Sequence, residues 1–484
     1  MGLGDIGCLG ARPDKGFQIH HLFGVMNHGS NGLGGGSSAT ISRVSFGLDS
    51  IGNWELLVPP TVYPPREDTH LLAEALVGIQ EHSGIAVEIG CGSGAISIAL
   101  ASQGWNVEAC DVNPMAVAAA RGNARSAGLY DLISVTEGGV GEHGWRLPER
   151  ADLIVWNLPY LEPGVEGEGL EPIEDASMLD IPGGWSDKLL EIITDSKVSD
   201  DCLVVMLHRT DPPSQSKPES WLKAGWASRT LKTLRLGDER LEVICYWRPA
   251  SGSDPVVLEE CDSTMDEARN LDSSEWGRLL SMNQTRGRGR RGARWETKLG
   301  GLACTWVMPM SDLDDLEPGL LQTSIGSSVC LALGCHCKWP NDLIDKEGAK
   351  LGGILVESST SEFAVRVGIG INRNSSIVDG AGVTGWKDTD AELEFSEVFA
   401  LVDSALASLF EQHRKVPSTR KEDLVGISWR GLANSLSRGV LIEAENGDAR
   451  VVGIDSRGRL QIESSGKVTV TDEVGSLDWI IPTA

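Results

Sequence analysis

The sequence predicts two α/β domains in series, a doubly wound parallel sheet followed by an α+β domain, closed by a small β-barrel. Three observations carry that expectation. With 484 residues, 41% of them hydrophobic, the chain exceeds one ordinary domain and has apolar material for more than one core. From Asp68 onward, short apolar runs alternate with segments of helical period, the pattern of a parallel sheet whose ligands sit beyond the carboxyl ends of its strands. From Gly439 the period shortens to alternating strands, punctuated by turns at Asn446-Gly447 and Arg457-Gly458.

Taken in order, residues 1–43 contain Gly34-Gly35-Gly36-Ser37-Ser38 and many His and Asn, which reads as a loosely held lead-in with Met26 as a second candidate start. Order is expected from Val44, where short strands lead to Val62-Tyr63-Pro64-Pro65. Leu71, Leu72, Ala75 and Leu76 sit at helical spacing. Residues 85–90 read as a buried strand, 95–102 as a helix, and 106–110 as a second strand ending on Asp111. Asn113 caps the next helix, with Pro114 in its first turn. Strands continue at 152–156 and 202–207, and 211–218 reads as an inserted loop. Turn residues without an apolar period make 249–255 an interdomain linker. The expected division is therefore 44–248, 256–432 and 433–484.

Charge narrows the partners. The chain carries 69 acidic against 42 basic residues, a formal net charge of −27. That opposes general binding to nucleic acid or to an anionic membrane, both of which need basic surface. No run reaches the roughly 18 apolar residues of a membrane span, and the N-terminus has no basic-then-apolar signal pattern. Ten cysteines are scattered without a framework. Cys335 and Cys337 flank His336 on an apolar strand, but no second ligand pair stands at zinc-like spacing. Buried free thiols in a reducing cytoplasm, and no protein-bound metal, are the expectation.

Two stretches carry chemistry. The first is Glu88-Ile89-Gly90-Cys91-Gly92-Ser93-Gly94 with Asp111. It fits a dinucleotide fingerprint, and equally the turn that receives the amino-acid end of S-adenosylmethionine; in both, an acid about 20 residues on holds ribose hydroxyls. Asn157-Leu158-Pro159-Tyr160, directly after a buried strand, favours the second reading. The Asn157 carbonyl accepts one N–H of an amide or amine, a neighbouring main-chain carbonyl accepts the other, and Tyr160 stacks on the planar target. The nitrogen lone pair is then aimed at the methyl carbon, which is catalysis by positioning. The second stretch is Thr285-Arg286-Gly287-Arg288-Gly289-Arg290-Arg291-Gly292-Ala293-Arg294-Trp295. Its glycines permit positive φ and its arginines grip phosphate or carboxylate in pairs, which describes an anion-binding loop or, alone, a basic RGG-like segment.

Cys261-Asp262-Ser263-Thr264, that loop, Lys338-Trp339-Pro340-Asn341-Asp342, Lys350–Glu357 and Val367–Asn372 follow one another in an order that resembles the biotin protein ligases of the BirA type, from about Val256 to the C-terminus. The resemblance implies an α+β catalytic domain with a small SH3-like barrel. It also implies that biotin is activated by ATP, with Mg2+, to biotinyl-5′-AMP, and that a lysine of a biotin carboxyl carrier protein then attacks. It assigns Ser263, Thr264 and Gln284 to the biotin rings, Gly287, Arg288, Gly289 and Arg290 to the loop that folds over ligand, and Trp295 to an apolar wall. Arg288 would contact the biotin carboxylate and Arg290 retain the adenylate. Lys350 would touch carboxylate and phosphate, Asn341 and Asp342 lie where adenylate meets acceptor, with Asp342 orienting the incoming amine, Gly353 belong to the biotin and adenylate site, and Asn372 lie at the adenine. Ala293 and Met265 depart from commoner Arg and Asn. Lipoate ligases share this fold but lack these blocks in this form, and a repressor's DNA-binding domain is replaced by the first half, so no operator binding is expected.

Residues 55–248 resemble the HemK/PrmC-type protein-glutamine methyltransferases, through Pro65-Arg66-Glu67-Asp68-Thr69, Asn157–Tyr160, Gly183-Gly184 and Glu239-Arg240-Leu241-Glu242-Val243. The resemblance implies a release factor as methyl acceptor. Leu158 replaces the family's first proline, as in rRNA adenine dimethyltransferases, so adenine is the alternative target. Residues 51–250 hold 30 acidic and 15 basic residues, which favours protein over rRNA. The rival to a bifunctional enzyme is an active ligase beside an inactive, recruiting first domain.

Overall fold

A computed structural model describes residues 41–161, 179–296, 300–313, 316–378, 381–437, 441–444, 447–472 and 477–480. The lead-in with Met26, Val440 and Asn446 lie outside them. An antiparallel hairpin, Ser42–Leu48 with Gly52–Val58, opens the described chain. Asn123 ties it down, donating to Leu57 O at 3.0 Å and accepting from Leu57 N at 2.9 Å.

The first half is built on seven strands: β1 Ile85–Ile89, β2 Asn106–Asp111, β3 Ile133–Glu137, β4 Leu153–Asn157, β5 Leu203–Asp211, β6 Ala227–Leu236 and β7 Glu239–Trp247. Their order is β3-β2-β1-β4-β5-β7-β6. The first five pair in parallel and the last two antiparallel. Apolar residues on both faces of β1, β4 and β5 are buried, as expected of strands covered by helices on either side. Helices α1 Glu67–Val77, α2 Ala95–Gln103, α3 Pro114–Ser126 and α4 Trp185–Asp195 supply the cover. The stretch read as an inserted loop is largely exposed but anchored at two points: Ser214 and Ser216 are buried, and Ser216 N donates to Asp180 Oδ2 at 2.9 Å.

The second half has a nine-stranded sheet. Its main path runs through β8 Val256–Leu258, β9 Gly277–Ser281, β10 Leu302–Pro309, β11 His336–Lys338, β12 Asp342–Ile344, β13 Lys350–Ser359 and β14 Ala364–Ile371 in the order β8-β9-β10-β14-β13-β12-β11. Helices α5 Pro318–Leu333, α6 Phe395–Phe410 and α7 Lys421–Leu436 accompany it. The C-terminal strands form a five-stranded antiparallel sheet whose outer strands are Lys467–Thr471 and Leu477–Ile480. Ile442, Leu460 and Ile462 join the same apolar cluster as the second half.

The two halves interlock. Ala407 and Val416 belong to the apolar cluster of the first sheet. Arg229 of β6 donates to Ser408 O at 3.0 Å, Pro417 O at 2.6 Å and Glu411 O at 3.3 Å. Buried Lys415 donates to Asp152 O and Asp201 O at 3.1 and 3.3 Å. The stretch read as a linker is held rather than slack: Ala250 N donates to Glu411 Oε1 at 2.7 Å, and Arg278, ion-paired with Asp403 at 2.7 Å, donates to Pro249 O and Ser253 O.

Candidate active sites

The first cleft lies at the carboxyl ends of β1, β2 and β4. Gly90, Gly92 and Gly94 have φ of +68°, +52° and +84°, a left-handed course that only glycine takes without strain. Gly90 and Gly92 line the cavity. Gly94 does not; a Cβ there would lie 3.0 Å from Ala120 Cα, so its place is set by helix packing. Asp111 accepts from Gly92 N at 2.9 Å and Asn113 N at 2.8 Å, and burial raises its carboxyl against those two bonds. Glu88 is fully enclosed and bonded to Ser97 Oγ; burial pushes it up to about 8, opposed by Ser97 and reinforced by Asp111.

Asn157 ends β4 at the cavity wall. Its Nδ2 donates to Asp68 Oδ2 at 3.0 Å, while its Oδ1 is buried and has no partner among the described residues. Tyr160 departs from the stacking role expected of it: it is not among the lining residues, and its buried ring packs in the core with the Arg209 guanidinium 5.8 Å from its centroid. Tyr63, Trp156 and Trp185 provide the aromatic lining instead. Trp185 follows Gly183-Gly184, a pair the sequence had marked; Tyr63 lies in a Pro-rich stretch that gave no such signal.

The second cleft opens on β13 and β14 beneath the arginine–glycine loop. It gathers Thr264, Gln284, Arg288, Gly289, Arg290, Trp295, Asn341, Asp342, Lys350 and Gly353 from four separate stretches of sequence. Gln284 Oε1 accepts from Thr264 N at 2.9 Å and Thr264 Oγ1 at 3.1 Å, and Thr305 Oγ1 donates to Thr264 Oγ1 at 2.9 Å. Lys350 Nζ donates to Asp342 Oδ1 at 2.7 Å and stands 5.7 Å from the Trp295 ring centroid. Arg290 Nη1 donates to Asn341 Oδ1 at 2.9 Å. Arg288 is held by Glu357 and Asp266, each at 3.1 Å.

Ser263, Gly287 and Asn372 are not among the lining residues. Ser263 Oγ is buried with no partner among the described residues. Asn372 Nδ2 donates to Lys350 O at 3.4 Å, beneath the cleft. Gly287 is required by packing, since a Cβ would fall 2.6 Å from Trp295 O and closer still to Gln284 Nε2. Of the loop glycines, Gly292 alone adopts positive φ, +79°. Sequence reasoning missed Gly370: a Cβ there would strike the Trp295 indole, 2.7 Å from Cζ2 and closer still to Nε1. Residues 367–372 had been marked as a block, and that close approach is their physical content.

Two parts of the chain are similar to known proteins. Residues 262–374 match the Biotin/lipoate A/B protein ligase family and residues 66–170 the Methyltransferase small domain. The Release factor glutamine methyltransferase of Geobacter sulfurreducens is 35% identical over 129 residues, covering 26% of this chain and 44% of that protein. The Biotin–[acetyl-CoA-carboxylase] ligase of Paracoccus denitrificans is 36% identical over 130 residues, covering 24% of this chain and 53% of that protein. The chain thus spans about half the length of these curated relatives. Among solved structures, the Biotin protein ligase from Aquifex aeolicus in complex with biotin and ATP aligns at 24% identity and a TM-score of 0.39, covering 48% of this chain and 100% of that one. Two clefts on two α/β sheets, each with its own family match, define a chain with two enzyme-type domains. It is a fusion, its first part similar to the release factor glutamine methyltransferases and its second to the biotin ligases.

Proposed function

We propose a bifunctional enzyme that biotinylates a lysine of a biotin carboxyl carrier protein and methylates a glutamine amide of a release factor. For the ligase, the observation that carries the reading is the convergence of Arg288, Arg290 and Lys350 on one cleft with Asp342 and Asn341. Cations so placed stabilise the charge that builds when the biotin carboxylate attacks the α-phosphate and pyrophosphate leaves. Thr264 and Gln284 hold the ring system, Trp295 and Gly353 form the wall, and Lys350 bridges carboxylate and phosphate. Asp342, within reach of Lys350, orients the carrier lysine, whose nitrogen takes the acyl carbon as AMP departs. Mg2+ is expected to enter with the ATP phosphates. The C-terminal sheet is read as the SH3-like barrel of the ligase, with domain boundaries at 44–248, 256–432 and 433–484. Nine described cysteines are unpaired, in keeping with a reducing cytoplasm, and the acidic balance speaks against operator binding. ATP-dependent transfer of labelled biotin to a purified carrier domain tests the ligase; no transfer refutes it.

For the methyltransferase, the fit of S-adenosylmethionine rests on the left-handed glycine turn, which admits the donor to the backbone, and on Asp111, whose oxygens keep lone pairs for hydroxyl donors. When bound it supplies an electrophilic methyl group. The carrying observation is Asn157, which lines the cavity and whose buried Oδ1 has no partner among the described residues. That oxygen and the Leu158 carbonyl accept the two amide N–H groups and aim the nitrogen lone pair. The N–C bond forms as the C–S pair leaves with sulfur, and the surplus proton passes to water. Tritiated donor offered to release factor and to small-subunit rRNA tests this; label on adenine and none on the factor overturns the glutamine reading.

A further inference from the structure

We propose that Asp68 is a positioning residue for methyl transfer: it fixes which end of the Asn157 amide meets the acceptor. The proposal rests on the methyltransferase reading of the first cleft. Asp68 is 2% exposed at the start of α1. Its Oδ1 accepts from Thr69 N at 2.7 Å and Thr69 Oγ1 at 3.2 Å. Its Oδ2 accepts from Asn157 Nδ2 at 3.0 Å and Tyr63 OH at 3.4 Å. Both oxygens of Asp68 accept in these contacts, and an accepting oxygen pairs with an amide only through its NH2 end. A flipped amide would set oxygen against oxygen in a buried site, which is costly. Asn157 is thus held with Oδ1 as its unused group among the described residues. An acceptor at that position must bring an N–H donor, as a primary amide does; a group presenting only a carbonyl or a bare ring nitrogen has no partner there. Tyr63, which lines the cavity and shares the same carboxylate oxygen, is fixed by the same group.

Asp68→Asn in the full chain keeps shape but adds a donor, so the Asn157 amide is free to turn. Methyl transfer should lose about tenfold or more in kcat, the worth of roughly one hydrogen bond, with the affinity for S-adenosylmethionine within about twofold, since the lost contact aligns the acceptor and not the donor. Adding Asn157→Asp reverses the polarity of the pair: the carboxylate introduced on β4 takes the NH2 of the amide introduced on α1 and keeps one oxygen for the target, so activity should rise above the single variant. Wild-type kcat in Asp68→Asn, or a double variant no better than the single, overturns the proposal. Wild-type protein that methylates no acceptor would refute the reading of the cleft instead. In that event the 15N-labelled Asn157 side-chain amide still decides, because its protons should exchange slowly in wild type and fast in Asp68→Asn; equal exchange overturns the proposal.

Discussion

Arg290 links the arginine–glycine loop to Asn341 at 2.9 Å, beside the Lys350–Asp342 pair. A charge-assisted hydrogen bond of this kind is worth roughly 1.5–3 kcal/mol, so Arg290→Gly should loosen retention of biotinyl-AMP and let it label bystander lysines. Mass spectrometry of a mixed protein pool checks this; unchanged specificity removes Arg290 from the role. In the other cleft, Asn157→Ala should abolish methyl transfer yet leave donor affinity nearly intact, because Glu88, the glycine turn and Asp111 stay in place. Titration calorimetry alongside a transfer assay separates the two effects. Glu88 adds a pH signature. Its folded carboxyl lies at about 8, above the ordinary value of 4.5, so between these limits the folded protein holds a proton that the unfolded chain has lost. Its contribution to stability is therefore full below about pH 4.5 and is lost as pH rises toward 8. Thermal midpoints across that window should fall less steeply in Glu88→Gln than in wild type.

At the scale of elements, the sharpest test is Gly370→Ala in β14. Its Cβ would lie 2.7 Å from Cζ2 of the Trp295 indole and closer still to Nε1, and overpacking of this kind typically costs about 1–3 kcal/mol. The tryptophan should be driven into the cleft and biotin affinity should fall by about tenfold or more, measurable as quenching of the Trp295 fluorescence response and by calorimetry. The sequence made the strands and turns of both clefts legible because their signals are local: a buried strand, then glycines, then a cap at Asn113. It misread loop glycines where tertiary contact, not φ, is the reason for them: Gly287 faces Gln284, and Gly289 has an extended φ of −114°. Tyr160 was placed by motif at the acceptor, but burial against Arg209 turns it into the core. Asp68 carried a motif without a role, since its partner Asn157 is 89 residues away and no local pattern reports such a pair. The composition of 249–255 describes a linker, whereas Glu411 and Arg278, which hold it, lie outside the stretch, Glu411 far along the chain.

Across the whole molecule, the two halves share more than a connection. From Thr40 to Ala484 the chain clusters as one compact unit, and α6 of the second half lies against β6 of the first, with Ser228 N donating to Ser408 Oγ at 2.8 Å. Arg229 is the central contact. Its guanidinium lies 5.1 Å from the Trp247 ring centroid and satisfies the carbonyls of Ser408, Glu411 and Pro417 just where α6 ends, a helix terminus whose last carbonyls need donors. Cutting that side chain back leaves buried acceptors unmatched, at about 1–3 kcal/mol each where water does not replace the lost donor. Wild-type protein should therefore unfold in a single calorimetric transition despite its two sheets. Arg229→Ala should destabilise the junction by on the order of 3 kcal/mol and resolve the melt into two transitions, the lower one moved up by S-adenosylmethionine or by biotin with ATP according to the half it belongs to. Two separate transitions already in wild type would show that the junction, for all its contacts, does not make the halves cooperative.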